Sequence, residues 1–133
     1  MKYILMMQFK MGGWSKGNIS NWTPEDARAN RGFLDRLNKD LAEAGELVSV
    51  VGLGGPEQMT LVQAQKDGTA MVTDGPFAES KEFLAGYWIV DVDGPERAHQ
   101  IAARISALPG PGGAPANLPV EVRPVMRAAS GDV

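Results

Sequence analysis

The sequence predicts an α+β fold of ferredoxin-like (split βαβ) topology, in which an antiparallel sheet carries two helices on one face. The predicted elements run in the order strand, helix, strand, hairpin insert, strand, helix, strand. Each predicted helix is apolar along one stripe, so it can cover the sheet with one side only. Two predicted strands are apolar on both sides, which indicates that something also covers the second face of the sheet.

The first half of the chain contains a strand, a loop and a helix. A strand is predicted at 2–9, followed by a surface loop at 10–22 that is rich in Gly, Ser and Asn. Thr23 is the predicted N-cap of the first helix, with Pro24 at its first position and Gly45 at its end. The core stripe of this helix is predicted to be Ala27, Leu34, Leu37, Leu41 and Ala44, with Phe33 beside it.

The second half of the chain contributes the remaining strands and a second helix. Strands are predicted at 46–53, 59–65, 69–73, 87–92 and 120–125, the second and third of these forming the hairpin. Asp93 is the predicted N-cap of the second helix, and a loop is predicted at 109–119. The apolar stripe of this helix consists of Ala98, Ile101, Ala102, Ile105 and Leu108.

Length and composition indicate one globular domain. The chain has 133 residues, which we divide into a domain at 1–126 and a frayed tail at 127–133. Hydrophobic residues at 44% and charged residues at 22% exclude a disordered or collagen-like chain. The chain has no cysteine, so it forms no disulfide and no thiolate site, which suits a cytoplasmic location. No apolar run reaches the roughly 20 residues that span a bilayer, and no signal peptide is predicted.

The charge of the chain argues against nucleic acid as a partner. Thirteen basic and sixteen acidic residues give a net charge of −3. Proteins that grip nucleic acid present a basic face, because neutralising phosphates supplies most of their affinity. Here the basic residues are scattered along the chain, so we expect neither nucleic-acid nor membrane binding.

A second copy of the chain is the simplest cover for the exposed side of the sheet. Two helices cannot cover both faces of the sheet. The strand at 87–92 has Tyr87 and Ile89 on one side and Trp88 on the other. We therefore expect a homodimer that buries either Trp88 or the opposite face with Tyr87 and Ile89.

One long motif resembles a known family. The segment TDGPFAESKEFLAGYWIVDVD resembles the YCII-related family, in particular the subgroup named for its Asp-Gly-Pro-Phe motif. The segments MKYILMMQF, LAEAGELVSVVGL, AARI and VEVRPV extend the match over most of the chain. The resemblance implies a dimeric α+β barrel but no settled activity. Some members are fused or adjacent to sigma-factor-like proteins, and a related branch includes a dehydrochlorinase-like domain.

Resemblance to the related YCII branch implies a His–Asp pair with its histidine on the first helix. Aligning the first helix by its EAGEL end places Leu34 at that position. The resemblance therefore does not bring a His–Asp mechanism to this chain. The single histidine, His99, lies outside the apolar stripe of the second helix, and we expect it to be solvated or at an interface.

Asp74 is the main candidate for a catalytic group. It ends a short strand before Gly75 and Pro76, where an aspartate can cap a turn. Alternatively, its carboxylate lies at the mouth of a cleft and acts as a general acid or base. Phe77 then walls the pocket, unless it belongs to the core. The nearby charged residues Glu79, Lys81 and Glu82 are expected to form local ion pairs.

Four further side chains are candidates for ligand binding or for structural roles. Trp14 and Trp22 either form a lid over an apolar ligand or fix the long loop to the barrel, the interpretation that we favour. Gln8 and Arg123 are polar residues in apolar strands, so both are candidates to face a cavity. Arg123 can hold a carboxylate ligand, although pairing with Glu121 or Asp91 is favoured.

Two classes of function remain open from the sequence. The first is a small-molecule enzyme, lyase-like or isomerase-like, that uses Asp74 as acid or base. The second is a non-catalytic module that binds a small organic ligand or a protein such as a sigma factor. No cofactor fingerprint and no metal-ligand spacing is present, so we expect neither cofactor nor metal.

Overall fold

The computed structural model describes residues 1–75 and 81–127. In chain order its elements are β1 (Lys2–Lys10), α1 (Trp14–Gly17), α2 (Pro24–Glu43), β2 (Leu47–Gly52), β3 (Thr60–Ala64), β4 (Ala70–Asp74), β5 (Glu82–Asp91), α3 (Pro95–Ser106) and β6 (Val120–Pro124). Phe77 and Glu79 lie outside the described residues, as does all but the first residue of the predicted tail.

Four of the strands form the main sheet in the order β2-β5-β1-β6, and every neighbouring pair is antiparallel. Strands β2 and β6 lie at the edges of this sheet, and β1 and β5 lie between them. This order is the one expected of a split βαβ fold. The predicted α+β class and ferredoxin-like topology are therefore confirmed.

Helices α2 and α3 pack on one face of this sheet and form the core with it. The buried residues come from β1, β5 and the apolar stripes of both helices. The predicted stripe of α3 is buried throughout, whereas in α2 only Leu37 and Leu41 are fully buried and Ala44 is exposed. A buried Asn30 lies on the same side of α2, where the sequence predicted apolar residues only.

The ends of the helices follow local sequence signals with one exception. The Thr23 hydroxyl accepts a hydrogen bond from the Asp26 backbone N–H at 3.2 Å, and Gly45 adopts a φ of +73° directly after Ala44, the C-cap of α2. The prediction that Asp93 is the N-cap of α3 is wrong, because Gly94 occupies the cap position and no side chain caps the helix. Pro95 fixes the first turn of α3, which places Asp93 one residue too early to cap it.

The two faces of the main sheet differ in burial. On the helix side, Leu5 lies opposite Trp88 in the β1–β5 register, and the Trp88 Nε1 donates to Asn38 Oδ1 at 2.8 Å. On the other side, Ile4 lies opposite Ile89, and both are only partly buried. Trp88 is thus buried within its own chain, so the alternative that placed it in a dimer interface is wrong.

The hairpin insert forms a separate two-stranded sheet. Strands β3 and β4 pair from Thr60 opposite Asp74 to Ala64 opposite Ala70, and Gly68 at the turn has a φ of +85°. All ten strand residues are exposed. The predicted hairpin is confirmed, but it stands apart from the main sheet. No helix in the described part of the chain is long and apolar enough to cross a membrane.

Candidate ligand-binding site

Among the described residues, a cavity of about 400 Å³ lies on the helix side of the sheet, at one end of the core. Its lining is mostly apolar and comes from β1, the segment at 11–22 that contains α1 (the α1 segment), α2, the residue after β2, β5 and the loop after α3. The lining includes Met7, Phe9, Trp14, Trp22, Leu34 and Leu118. This volume lies within the range of pockets that hold small organic molecules.

The α1 segment forms one wall of the cavity, and an aromatic cluster fixes it. The Trp14 ring meets Phe9 and Phe83 edge to face, with ring centroids 5.6 Å and 5.1 Å apart. Its Nε1 donates to Glu57 Oε2 at 3.1 Å. Gly17 lies directly against the Phe9 ring, and a Cβ at this position would collide with it. The short helix therefore depends on both a glycine and a tryptophan.

Trp22 ties the end of the same segment back to α1. Its Nε1 donates to the Lys16 carbonyl oxygen at 2.7 Å, and the Asn18 Oδ1 accepts from the Ser20 backbone N–H. The sequence predicted a loop here because four helical residues are too few for an apolar period to be visible. Both tryptophans therefore make the contacts expected of a fixed segment, and both also line the cavity.

A β-bulge in β5 shapes the floor of the cavity. Met7 lies opposite Gly86 and Gln8 opposite Leu84, so Ala85 is the extra residue. Ala85 lines the cavity together with Met7. The first residues of β5, which the sequence analysis left outside the strand, pair with the end of β1 and extend the sheet beneath the site.

The loop after α3 forms the opposite wall and is held by α2. Asn30 Nδ2 donates to the Pro109 carbonyl oxygen at 2.9 Å, and Asp26 Oδ2 accepts from the Gly112 backbone N–H at 2.8 Å. The Ser106 hydroxyl donates to the Leu118 carbonyl oxygen at 2.6 Å. These bonds connect α2 to the first part of the loop and α3 to its far end, so polar contacts with both helices fix the wall.

Asp74, the predicted catalytic residue, lies at the end of β4 and is exposed. The described residues that line the cavity do not include it. The turn after it is closed by the backbone, since the Gly75 N–H donates to the Met59 carbonyl oxygen at 2.8 Å. Within the described chain, the Asp74 carboxylate accepts no hydrogen bond. Its catalytic role stays a prediction, as does the wall role of Phe77, which is not described.

Gln8 and Arg123 lie on the other side of the sheet. Strand alternation separates Gln8 from its neighbours Met7 and Phe9, which line the cavity, and Arg123 lies opposite Ile4. The ion pairs predicted for Arg123 are wrong for the described residues, where it makes none. Strand β1 separates β6 from β5, and Asp91 instead pairs with the Met1 amino group at 3.1 Å.

Among the described residues, the titratable groups with shifted pKa values lie outside the cavity. Hydrogen bonds from Arg97 lower the pKa of Glu46, and in return Glu46 raises the pKa of Arg97. Hydrogen bonds from Thr69 lower the pKa of Asp67 at the hairpin turn. His99 is exposed on α3 and does not line the cavity, whereas Leu34 does. The described residues contain no group of three His, Asp or Glu side chains placed to hold a metal.

The polar cavity residue that the sequence analysis missed is Asn30. It precedes Leu34 by one helical turn and therefore lies on the same stripe of α2. The sequence signal that could have identified Asn30 is its position as a single polar residue at helical spacing within an apolar stripe. Lys16 is the charged residue among the described lining, and its side chain is exposed.

Together, the sheet and the cavity define a small ferredoxin-like α+β protein with an apolar site at one end of its core. The sequence profile of the YCII-related domain matches residues 1–122, so the chain belongs to the YCII-related family. An uncharacterized protein of Rhizobium meliloti (strain 1021) is 30% identical over 115 residues, which are 86% of this chain and 87% of that protein.

Proposed function

We propose that this protein binds a small, largely apolar organic molecule in the cavity between α2, the end of the sheet and the α1 segment. The observation that carries the proposal is the cavity of about 400 Å³, whose lining is mostly apolar. Apolar cavities of this size bind ligands through burial of hydrophobic surface, with a few polar groups fixing orientation.

The walls of the cavity support binding because they are held before a ligand arrives. Trp14 is fixed by two ring contacts and a hydrogen bond, and Trp22 is fixed through Lys16. A preformed site loses less conformational entropy on binding than a flexible one. The aromatic walls favour a flat or aromatic ligand, which can pack against the ring faces and edges.

An acid–base enzyme that uses Asp74 is the second candidate. Its support is that the carboxylate stands at a strand end and accepts no hydrogen bond from the described residues. Its weakness is location, since Asp74 is exposed and is absent from the described cavity lining. The geometry therefore favours binding without catalysis.

We also propose that the protein is cytoplasmic and that it forms a homodimer through the open face of the main sheet. Support for the dimer comes from Ile4, Met6, Tyr87 and Ile89, which line this face and are only partly buried. Stable homodimer interfaces commonly bury about 2,000 Å² or more in total.

We also propose that the chain belongs to the family subgroup named for its Asp-Gly-Pro-Phe motif. The sequence Asp74-Gly75-Pro76-Phe77 supports this placement.

Thermal unfolding with and without 2-naphthol, a bicyclic aromatic alcohol small enough for the cavity, tests the binding proposal. A ligand of this size is expected to bind with a Kd of about 0.1–1 mM. At a tenfold excess over the Kd, the native state gains about 1.4 kcal/mol. Leu34→Trp, which fills the cavity from α2, is expected to remove most of this gain.

Asp74→Asn is the control, because it removes the charge of the second candidate without changing the cavity. It is expected to bind 2-naphthol as the wild type does. Equal binding by Leu34→Trp would place the ligand elsewhere and contradict the proposal. Loss of binding in Asp74→Asn alone would instead favour a site at the hairpin.

A further inference from the structure

Asn30 is a buried polar side chain in a place where the helix is otherwise apolar. It is 6% exposed and is the buried polar residue of the described chain. Its neighbours along the same stripe are Ala27 and Leu34, and it lines the cavity with Leu34. Burying an amide is costly unless its donors and acceptors find partners.

The orientation of the Asn30 amide is fixed by chemistry. Its nitrogen, Nδ2, is 2.9 Å from the Pro109 carbonyl oxygen. A carbonyl oxygen only accepts, so the reversed amide would bring two acceptors together and leave both unsatisfied. Nδ2 must therefore face Pro109, and Oδ1 must face away from it.

The Oδ1 atom of Asn30 has no partner within the described chain. No hydrogen bond of the described residues ends on it, although the Nδ2 of the same amide is bonded. At the same time, no described side-chain oxygen or nitrogen is both sealed from solvent and unbonded. Oδ1 therefore remains accessible, and the space that Asn30 lines is the cavity.

We propose that Asn30 Oδ1 accepts a hydrogen bond from the ligand and thereby selects molecules that carry a hydroxyl or N–H group on an apolar body. This inference rests on the proposed function, because it assigns the polar contact of the same cavity. A carboxylate or ether offers no proton to Oδ1 and leaves the amide oxygen unpaired, which lowers its affinity. The ligand class is thus neutral alcohols, phenols and secondary amines or amides of bicyclic size.

The test compares 2-naphthol with 2-methoxynaphthalene, which keeps the ring and the oxygen but lacks the donor. Isothermal titration gives the ratio of their Kd values for the wild type and for Asn30→Leu. Comparing ratios cancels the difference in hydrophobicity between the two probes. The ratio is expected to change about tenfold in favour of the ether in Asn30→Leu, since leaving a buried acceptor unpaired weakens binding by about that factor or more.

Leu34→Met is the matched control, because it changes an apolar lining residue one turn away and keeps the side-chain volume. It is expected to preserve the wild-type ratio. If Asn30→Leu does not fold, Asn30→Ala replaces it, since alanine is the best helix former, and the same change in ratio is expected.

The outcomes separate this inference from the proposed function. Binding of both probes with the same ratio in wild type and in the Asn30 variants overturns the role of Asn30 and leaves the apolar cavity as the binding site. Failure of the wild type to bind either probe overturns both proposals. A ratio that also changes tenfold in Leu34→Met overturns the assignment to Asn30, because the selectivity then follows the cavity shape.

Discussion

The main sheet and the β3–β4 hairpin have similar sequence patterns but very different surroundings. In the main sheet, Leu5 is 0% exposed beneath α2 and α3. In the hairpin, Leu61 is 54% exposed, and every other strand residue is exposed as well. Apolar alternation thus marks a strand in both places, but it indicates burial only where another layer covers the strand.

The hairpin has little to stabilise it by itself. A lone two-stranded sheet is at best marginally stable in water, because it buries too little apolar surface. Its local support is the turn, where Asp67 Oδ1 accepts from the Thr69 hydroxyl at 2.6 Å and from the Thr69 backbone N–H at 3.0 Å. The contrast teaches that the main sheet is held by its core, and the hairpin chiefly by its turn and its ladder.

The largest expected effect is the difference between replacing a leucine by alanine in the main sheet and making the same replacement in the hairpin. Leu5→Ala removes a fully buried side chain and is expected to lower the free energy of unfolding by about 2–5 kcal/mol. Leu61→Ala, on the exposed hairpin, is expected to change it by less than about 0.5 kcal/mol. Urea denaturation of both variants measures the difference. A loss of several kcal/mol in Leu61→Ala would show that the hairpin is covered in solution.

The sequence predicted the elements of the fold because their signals are local. Thr23, Pro24 and Gly45 mark the ends of α2 through contacts within one or two turns. The stripe of α3 likewise predicted its buried face. What the sequence did not predict is the burial of Trp88 against α2 and α3, because strand alternation does not say which face the helices take.

The candidate site was less predictable than the fold. Its residues come from six separate segments, and their convergence depends on the β-bulge at Ala85 and on the loop that Asn30 holds. Trp14 was a predicted ligand-binding residue and lies at the cavity. Gln8 and Arg123 were proposed for a cavity because they are polar within strands, but that pattern equally fits the open face of the sheet.

The open face of the main sheet provides the next test of the comparison. If this face forms the proposed dimer interface, Ile89→Glu places a charge between two apolar sheets and is expected to raise the dimer Kd at least about tenfold. His99→Glu, on the outer side of α3, is expected to leave association unchanged. Sedimentation velocity at micromolar concentration measures both.

Two results would contradict this prediction. A wild-type chain that sediments only as a monomer would remove the dimer altogether. Equal weakening by His99→Glu and Ile89→Glu would move the interface away from the open face. Weakening by Leu61→Glu as well would extend the interface to the hairpin, and the comparison between the two regions would then hold for the single chain only.

The smallest expected effect concerns the pH dependence of two carboxylates, one in each region. Glu46, directly before β2, forms two hydrogen bonds of 2.8 Å with Arg97 of α3 and so joins the sheet to a helix. These bonds lower the pKa of Glu46 in the folded state. A lowered folded-state pKa means that the pair stabilises the fold above the pKa of the unfolded chain, and that this stabilisation is lost as the pH falls through the folded-state value.

Arg97→Gln is therefore expected to lower the free energy of unfolding by about 0.5–1 kcal/mol at pH 7, as for other partly exposed ion pairs. The difference in unfolding free energy from the wild type should shrink toward zero between about pH 5 and pH 3, because a protonated Glu46 carries no charge to pair with the Arg97 guanidinium. Asp67→Asn in the hairpin keeps the acceptor oxygen for Thr69 and joins no other element. Because the Thr69 bonds lower the pKa of Asp67, its difference from the wild type should change with pH in the same direction, but by less than that of Arg97→Gln, since the turn is fully exposed. If the difference in unfolding free energy between Arg97→Gln and the wild type persists unchanged at pH 3, Arg97 acts through packing rather than through its charge. The ion pair with Glu46 would then not stabilise the main sheet.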